Sequence, residues 1–372
     1  MSRIVSVEAF ALRPAEPSYQ VAAGRGTLYP KVMETLLVRL ETEDGTVGWG
    51  EGLAPVAANV PAAIVTDLMT PALLGAEATA IRPLRGRLVA LMHERGHLGG
   101  HQADALAAVD IALWDLAGRT LGVPVHQLLG GAWRDRVPTY LSGWPGSTAD
   151  RPQVAAEYAA AGLRHVKLHL SQGVEADLAV YDEVAAAAPG IRIAVDAHCS
   201  YSRADALRLG RGLDARGAWF LESPLSPEDL AGHATLTAAL DTPVAVGEAF
   251  RHRIEAAEWL RRDAADLLQP DIGRTGVTEG TAVAALADLA NLPILPHHSA
   301  ALGVALAAGL HVAAATEHCP AFEWTPTLLE TASAILAEPL AATTTSFEVP
   351  TGPGLGVTVD EETVRRLAAL GR

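Results

Sequence analysis

Apolar and polar residues follow two different rhythms along this chain. Up to about residue 125 the first signals are strand-like: RIVSVEAFALR and VMETLLVRLETEDGTVGWGEG read as antiparallel strands, with a hairpin turn at Asp44-Gly45. Between them PAEPSYQVAAGRGTLYP, rich in Gly, Pro and polar residues, predicts a mobile loop. Helical periodicity follows in PAAIVTDLMTPALL, IRPLRGRLVALMHER and ADALAAVDIALWDLAGRTLG. In the last, Leu106, Val109, Ala112, Leu113 and Leu116 share one face. Strands followed by helices predict a small α+β domain over residues 1–125.

Beyond residue 125 short β-like runs alternate with Ala- and Leu-rich helices such as DRPQVAAEYAAAG and SRADALRLGRGLDARG. PTYLSGW and HVKLHL predict two strands, and IRIAVDAH, WFLESP, VAVGEA, LLQPDIG, PILPHH and AFEW predict six more. Each of the six closes on an ionisable residue: Asp196, Glu222, Glu248, Asp271, His297 and Glu323, at steps of 26, 26, 23, 26 and 26 residues. One strand, one loop and one helix take about that length. The beat predicts an α/β fold, a (β/α)8-type TIM barrel over residues 126–325, with its chemistry on the carboxyl-terminal rim. After Trp324, TSFEVPTGPGLGVTVDEE predicts strand-turn-strand, so residues 326–372 are expected to return to the capping domain and complete it. Ser299 to Thr316 runs uncharged for 18 residues. Its Ala and Gly content, His311 and the preceding Pro296 make it a packed barrel helix rather than a membrane span.

Composition narrows the partners. A formal charge of −15 argues against nucleic acid or an anionic membrane surface and leaves room for a small anionic substrate. Two cysteines, Cys199 and Cys319, suggest no disulfide framework. The opening MSRIVSVEAFALRP lacks the apolar core of a signal peptide, so a cytoplasmic location is expected, with a homo-oligomer as the expected assembly. Of 28 cationic residues only Lys31 and Lys167 are lysines. Lysine persists best where an amine able to lose a proton is needed, which singles out Lys167 in its predicted strand.

Asp196, Glu222 and Glu248, on consecutive strands, converge on one point. Three such carboxylates repel unless a cation holds them, and an all-oxygen set suits Mg²⁺. Residues two apart share a strand face, so Lys167 and His169 point one way, as do Asp196 and His198. Adjacent His297 and His298 point opposite ways, so at most one faces the barrel axis. His297 is chosen over His298, and Asp271, ending the neighbouring strand, can orient its imidazole. A cation flanked by two proton-transfer groups suits removal of a proton next to a carboxylate. Lys167, buried beside a divalent cation, is expected to have a depressed pKa.

In order, the chain carries Lys167-Leu-His169, VDAH, LESP, VGEAF, QPDIGRTG, PHHSAALG and GPGLGV. Nearly its whole length resembles the mandelate racemase subgroup of the enolase superfamily. That resemblance implies Asp196, Glu222 and Glu248 as Mg²⁺ ligands and Asp271 with His297 as the catalytic dyad. Glu323 is implied as a hydrogen-bond partner of the substrate carboxylate or developing enolate. Three departures stand out: His169 for a second lysine, His198 for Asn and Ser223 for a second Glu. The resemblance also implies an amino-terminal cap closing loops near 17–30 and 52–60 over a carboxylate substrate. Arg253, His198, Arg25 and the tyrosine of Ser18-Tyr19-Gln20 are the candidate substrate contacts. The leading expectation is a Mg²⁺-dependent dehydratase of a sugar acid, giving a 2-keto-3-deoxy acid, with Lys167, His169, Asp271, His297 and Glu323 as catalytic groups. The alternatives are a racemase or epimerase, a lactone cycloisomerase, and a barrel that serves only as a binding or structural protein.

Overall fold

The computed structural model describes the chain apart from residues 1, 14, 15, 17, 22–26, 97, 98, 300, 328, 330–333 and 372. Three antiparallel strands, β1 (Ile4–Leu12), β4 (Thr35–Thr42) and β5 (Val47–Gly52), form the cap sheet in the order β1-β4-β5. The β4–β5 turn falls at Asp44-Gly45, where Gly45 has φ 81°, a conformation glycine adopts at no steric cost. The stretch expected to be a loop instead contains a short hairpin, β2 (Tyr19–Val21) paired with β3 (Leu28–Pro30). Its three-residue strands are too short to give a readable alternation.

Helix α1 (Ile81–Ala90) packs against the long helix α2 (Gly100–Leu121), which covers the cap sheet. Gly48, Gly50 and Gly52 line one face of β5, and α2 lies directly on them. A Cβ at Gly50 would sit 1.9 Å from the Ala108 carbonyl oxygen. The other face of β5 carries buried Trp49 and Glu51. The alternation in VGWGEG thus sets how closely helix and sheet approach.

The barrel strands run in parallel: β6 (Arg136–Leu141), β7 (His165–His169), β8 (Arg192–Asp196), β9 (Leu221–Glu222), β10 (Val244–Val246), β11 (Leu267–Leu268) and β12 (Phe322–Trp324). Neighbours pair in chain order, and β12 closes back onto β6. Residues 293–295 take the eighth place, bridged to β11 at Leu268–Ile294. Helices fill the connections between them. Among these, α3 (Ile272–Leu289) turns at Gly276 with φ 72°, and α4 (Val304–Ala315) is buried along almost its full length. Among the described residues no helix is long and apolar enough to cross a membrane.

Inside the barrel, Tyr140, Ala194, Phe220, Ala245, Leu267, Leu295 and Ala321 pack into one floor. Two residues further along the same strands come Ser142, Asp196, Glu222, Gly247, Gln269, His297 and Glu323. Strand alternation therefore stacks a polar layer directly on an apolar one.

Past the barrel, β13 (Ser346–Glu348) pairs antiparallel with β6 rather than with the cap sheet. The return to the cap comes later. Val125 N–H donates to the Gly354 carbonyl, Leu355 N–H donates to Asp115, and helix α5 (Glu361–Leu370) reaches β1 through Arg365 and Glu8. The cap also grips the barrel directly, where Asp110 of α2 accepts from the Thr278 hydroxyl and backbone N–H.

Candidate active site

Asp196 and Glu222 are register partners at the ends of β8 and β9. Glu248 does not fall on the inward alternation, because Gly247 holds the inward place. Gly247 has φ 138°, and a side chain there would lie 2.7 Å from the Gln269 nitrogen. That turn brings Glu248 Oε2 to 3.3 Å from His297 Nε2. His297 Nδ1 is 2.7 Å from Asp271 Oδ2, and its Nε2 is 3.8 Å from Glu323 Oε2. The adjacent His298 instead donates its backbone N–H to Glu323, with its ring beside Phe322. Burial pushes the His298 imidazole down to about 4.

On the other side of the barrel Lys167 is fully buried, with Nζ 2.8 Å from Glu222 Oε2 and 2.7 Å from Glu323 Oε1. The depressed lysine is an expectation for a cluster that holds a divalent cation; the side chains by themselves act in the other direction. Burial alone would lower the pKa, but the carboxylates of Glu222 and Glu323 outweigh it and hold the ammonium well above the ordinary lysine value. His169 Nδ1 lies 3.0 Å from Asp196 Oδ2, and its Nε2 lies 3.0 Å from Ser142 Oγ. His198 Nε2 lies 2.9 Å from the same Asp196 oxygen.

The electrostatics of the cluster are strained. Burial, with the facing carboxylates of Asp196, Glu323 and Glu248, pushes Glu222 up to about 8 despite Lys167. Its Oε1 is buried without a hydrogen-bond partner among the described residues, whereas Oε2 takes Lys167 and Gln269 Nε2. Ser223, His198 and Cys199, all non-glycine, sit at φ 43°, 46° and 55° beside these acids. Left-handed backbone at several adjacent points is costly and concentrates at ligand clamps. An orphaned buried carboxylate oxygen and three converging acids make a donor set that fits a hard divalent cation.

Of the expected substrate contacts, His198 lies in the cluster, but Arg253 does not. Its guanidinium is bound to Glu279 at 2.9 Å, next to Arg85, and no contact joins it to the acidic row among the described residues. Tyr19 braces the cap: its hydroxyl donates to Glu34 and accepts from Ala57 N–H, and Ala58 N–H donates to Glu34, so the 17–30 and 52–60 loops are tied together. Arg25 lies outside the described residues.

Several contributors escape a reading of motifs alone. Gln269 and Ser142 were legible in principle, since each lies on the inward face two residues past a floor residue. Tyr29, whose ring is 6.5 Å from that of His198, comes from the cap and carries no local signal. Glu51 accepts from the backbone N–H groups of Leu302 and Ala305, which fixes the segment after His298. Beside Glu248 opens a cavity of about 530 Å³ walled by Leu225, Phe250, Ile254 and Trp259.

Two family descriptions match this chain: "Mandelate racemase / muconate lactonizing enzyme, N-terminal domain" over residues 7–130 and "Enolase C-terminal domain-like" over residues 150–363. The chain belongs to the enolase superfamily. Within it, the chain falls in the mandelate racemase subgroup and is an enzyme of that scaffold. It is 34% identical to the D-galactarolactone cycloisomerase of Agrobacterium fabrum, covering 88% of this chain and 89% of that one. It is 31% identical to the arabinonate dehydratase of Saccharolobus solfataricus, covering 88% of each. A racemase of Streptomyces coelicolor with bound magnesium superimposes with a TM-score of 0.86 at 27% identity, covering 98% of this chain and 99% of that one.

Proposed function

We propose that this enzyme is a Mg²⁺-dependent dehydratase of a sugar acid. The observation that carries the reading is the His297–Asp271 contact set against a carboxylate cluster, with an ion-paired lysine on the opposite side. Asp196, Glu222 and Glu248 would hold the divalent cation. When bound, the ion supplies positive charge to the substrate carboxylate and to the enolate-like charge that develops as the α-proton leaves.

The chain's own residues do the rest. Asp271 accepts the Nδ1–H of His297 and turns Nε2 toward the cluster. Burial would lower the imidazole's pKa, but Glu323, Asp271 and Glu248 outweigh it and push it up to about 9. With those carboxylates neutralised by a cation, the Nε2 lone pair would be free. His297 Nε2 takes the α-proton and then returns it to the departing β-hydroxyl, so one imidazole serves as base and acid in a syn elimination. Glu323, an acceptor held by Lys167 and by the His298 N–H, can take a hydrogen bond from a substrate hydroxyl. Lys167 acts as a fixed positive charge. Because its ammonium is shared by two carboxylates, a two-base epimerase is the weaker reading.

A lactone cycloisomerase is the second reading, favoured by the 34% identical relative. The proton removal is the same. The leaving group is then a ring carboxylate oxygen, which departs without needing a proton. Screening free sugar acids and their lactones with Mg²⁺, using a 2-keto acid assay, separates these readings. Consumption of free acids is expected; consumption of lactones alone would favour the cycloisomerase, and inversion without a keto product would favour the epimerase.

A further inference from the structure

His169, Asp196 and His198 bring three ligand-type atoms to one point. His169 Nδ1 and Asp196 Oδ2 are 3.0 Å apart, His198 Nε2 and Asp196 Oδ2 are 2.9 Å apart, and the two nitrogens are 3.2 Å apart. Among the described residues this is the one group of His, Cys, Asp and Glu whose ligand atoms all lie within 4.8 Å of one another. Adjacent ligands of an octahedral ion with bonds of about 2.1 Å lie about 3 Å apart, so the three separations match one triangular face of such a shell.

The protons point the same way. His169 Nε2 lies 3.0 Å from Ser142 Oγ, and with Nε2–H donated to that hydroxyl the Nδ1 of His169 carries a lone pair. That lone pair faces a carboxylate oxygen and a second imidazole nitrogen. A hydrogen bond to one ring nitrogen that frees the other as a ligand is the usual arrangement behind a metal-bound histidine. His198 and Cys199 also sit in left-handed backbone, at φ 46° and 55°. Solvent reaches the point, since the side chains of His169 and His198 are 32% and 39% exposed.

We infer that His169, Asp196 and His198 form a nitrogen-rich site for a borderline divalent transition ion such as Co²⁺, Ni²⁺ or Zn²⁺. Imidazole donors favour these ions over Mg²⁺, which prefers oxygen. The site shares only Asp196 with the oxygen set of Asp196, Glu222 and Glu248, and it stands whether or not the enzyme is a dehydratase.

The test uses the full chain stripped of metal. Co²⁺ and Mg²⁺ affinities are measured by titration calorimetry on wild type, His198→Asn and Glu222→Gln. In parallel, pulsed electron paramagnetic resonance of the wild type loaded with Cu²⁺, which imidazole favours, reads nitrogen coupling directly and needs no variant. Expected are two imidazole nitrogens coupled to the ion and a Co²⁺ affinity in His198→Asn lowered more than about a hundredfold, beyond the cost of an outer-shell change. In the same variant Mg²⁺ affinity should change far less than Co²⁺ affinity, while Glu222→Gln should weaken Mg²⁺ more than Co²⁺. Absence of nitrogen coupling, or Co²⁺ affinity in His198→Asn within about tenfold of wild type, would overturn the assignment.

Discussion

Lys167 shows how far the charge of one side chain depends on residues remote from it in sequence. Its position was legible, because lysine is rare in this chain and HVKLHL alternates as a barrel strand should. Its charge state was not, because Glu222 and Glu323 reach it from β9 and β12, which lie far away in sequence. Glu248 was legible by spacing but not by alternation, since the Gly247 backbone redirects it. The lysine's role leads to a stability prediction. Lys167→Met leaves two buried carboxylates without their cation, and removing one partner of such a set costs about 3–5 kcal/mol. Urea unfolding in the presence of EDTA should show that loss, and adding Glu323→Gln should restore part of it. An unchanged midpoint in Lys167→Met would mean that the pairing contributes no stability.

At the scale of elements, the glycine face of β5 and the buried histidines of the helices set the tolerances. Gly50→Ala forces a methyl group into the Ala108 carbonyl of α2, where overpacking of about 1–3 kcal/mol or more is expected. A matched Trp133→Ala change, at an exposed side chain, should shift the thermal midpoint far less. His311, in the middle of α4, meets His126 Nδ1 at 3.0 Å. Burial, reinforced by His126, pushes His311 down to about 4. The folded state therefore resists protonation: the stability is fully present above the unfolded value of about 6.5 and falls as pH drops from there toward 4. His311→Gln should flatten that acid limb by up to about 1.4 kcal/mol per pH unit, read from unfolding midpoints between pH 7 and 4. An unaltered slope would place the acid sensitivity elsewhere. The elements themselves were largely readable, because floor and polar layer repeat two residues apart on strand after strand. The hairpin at 19–30 and the pairing of β13 with β6 were not, because both depend on partners across the fold rather than on local pattern.

For the whole molecule, the site is where the fold keeps its unfavourable interactions. A pair-deficient buried Glu222, strained loops and converging acids all gain from a bound cation. An ion that binds only the folded chain stabilises it by about 2.7 kcal/mol at a hundred times its Kd. The thermal midpoint should therefore rise with Mg²⁺ and fall with chelation, and Glu222→Gln should blunt the rise. A midpoint indifferent to Mg²⁺ in the wild type would count against the oxygen set. The cap contributes by covering the mouth with Tyr29 and by bracing its loops through Tyr19 and Glu34. The most direct test of the central claim is proton NMR in D₂O with a sugar acid that the wild type consumes, comparing wild type with His297→Asn. With His297 as the single base and acid, α-hydrogen exchange and elimination should disappear together in the variant. Exchange and turnover retained at the wild-type rate would contradict the dyad, and His298 would be the next residue to test.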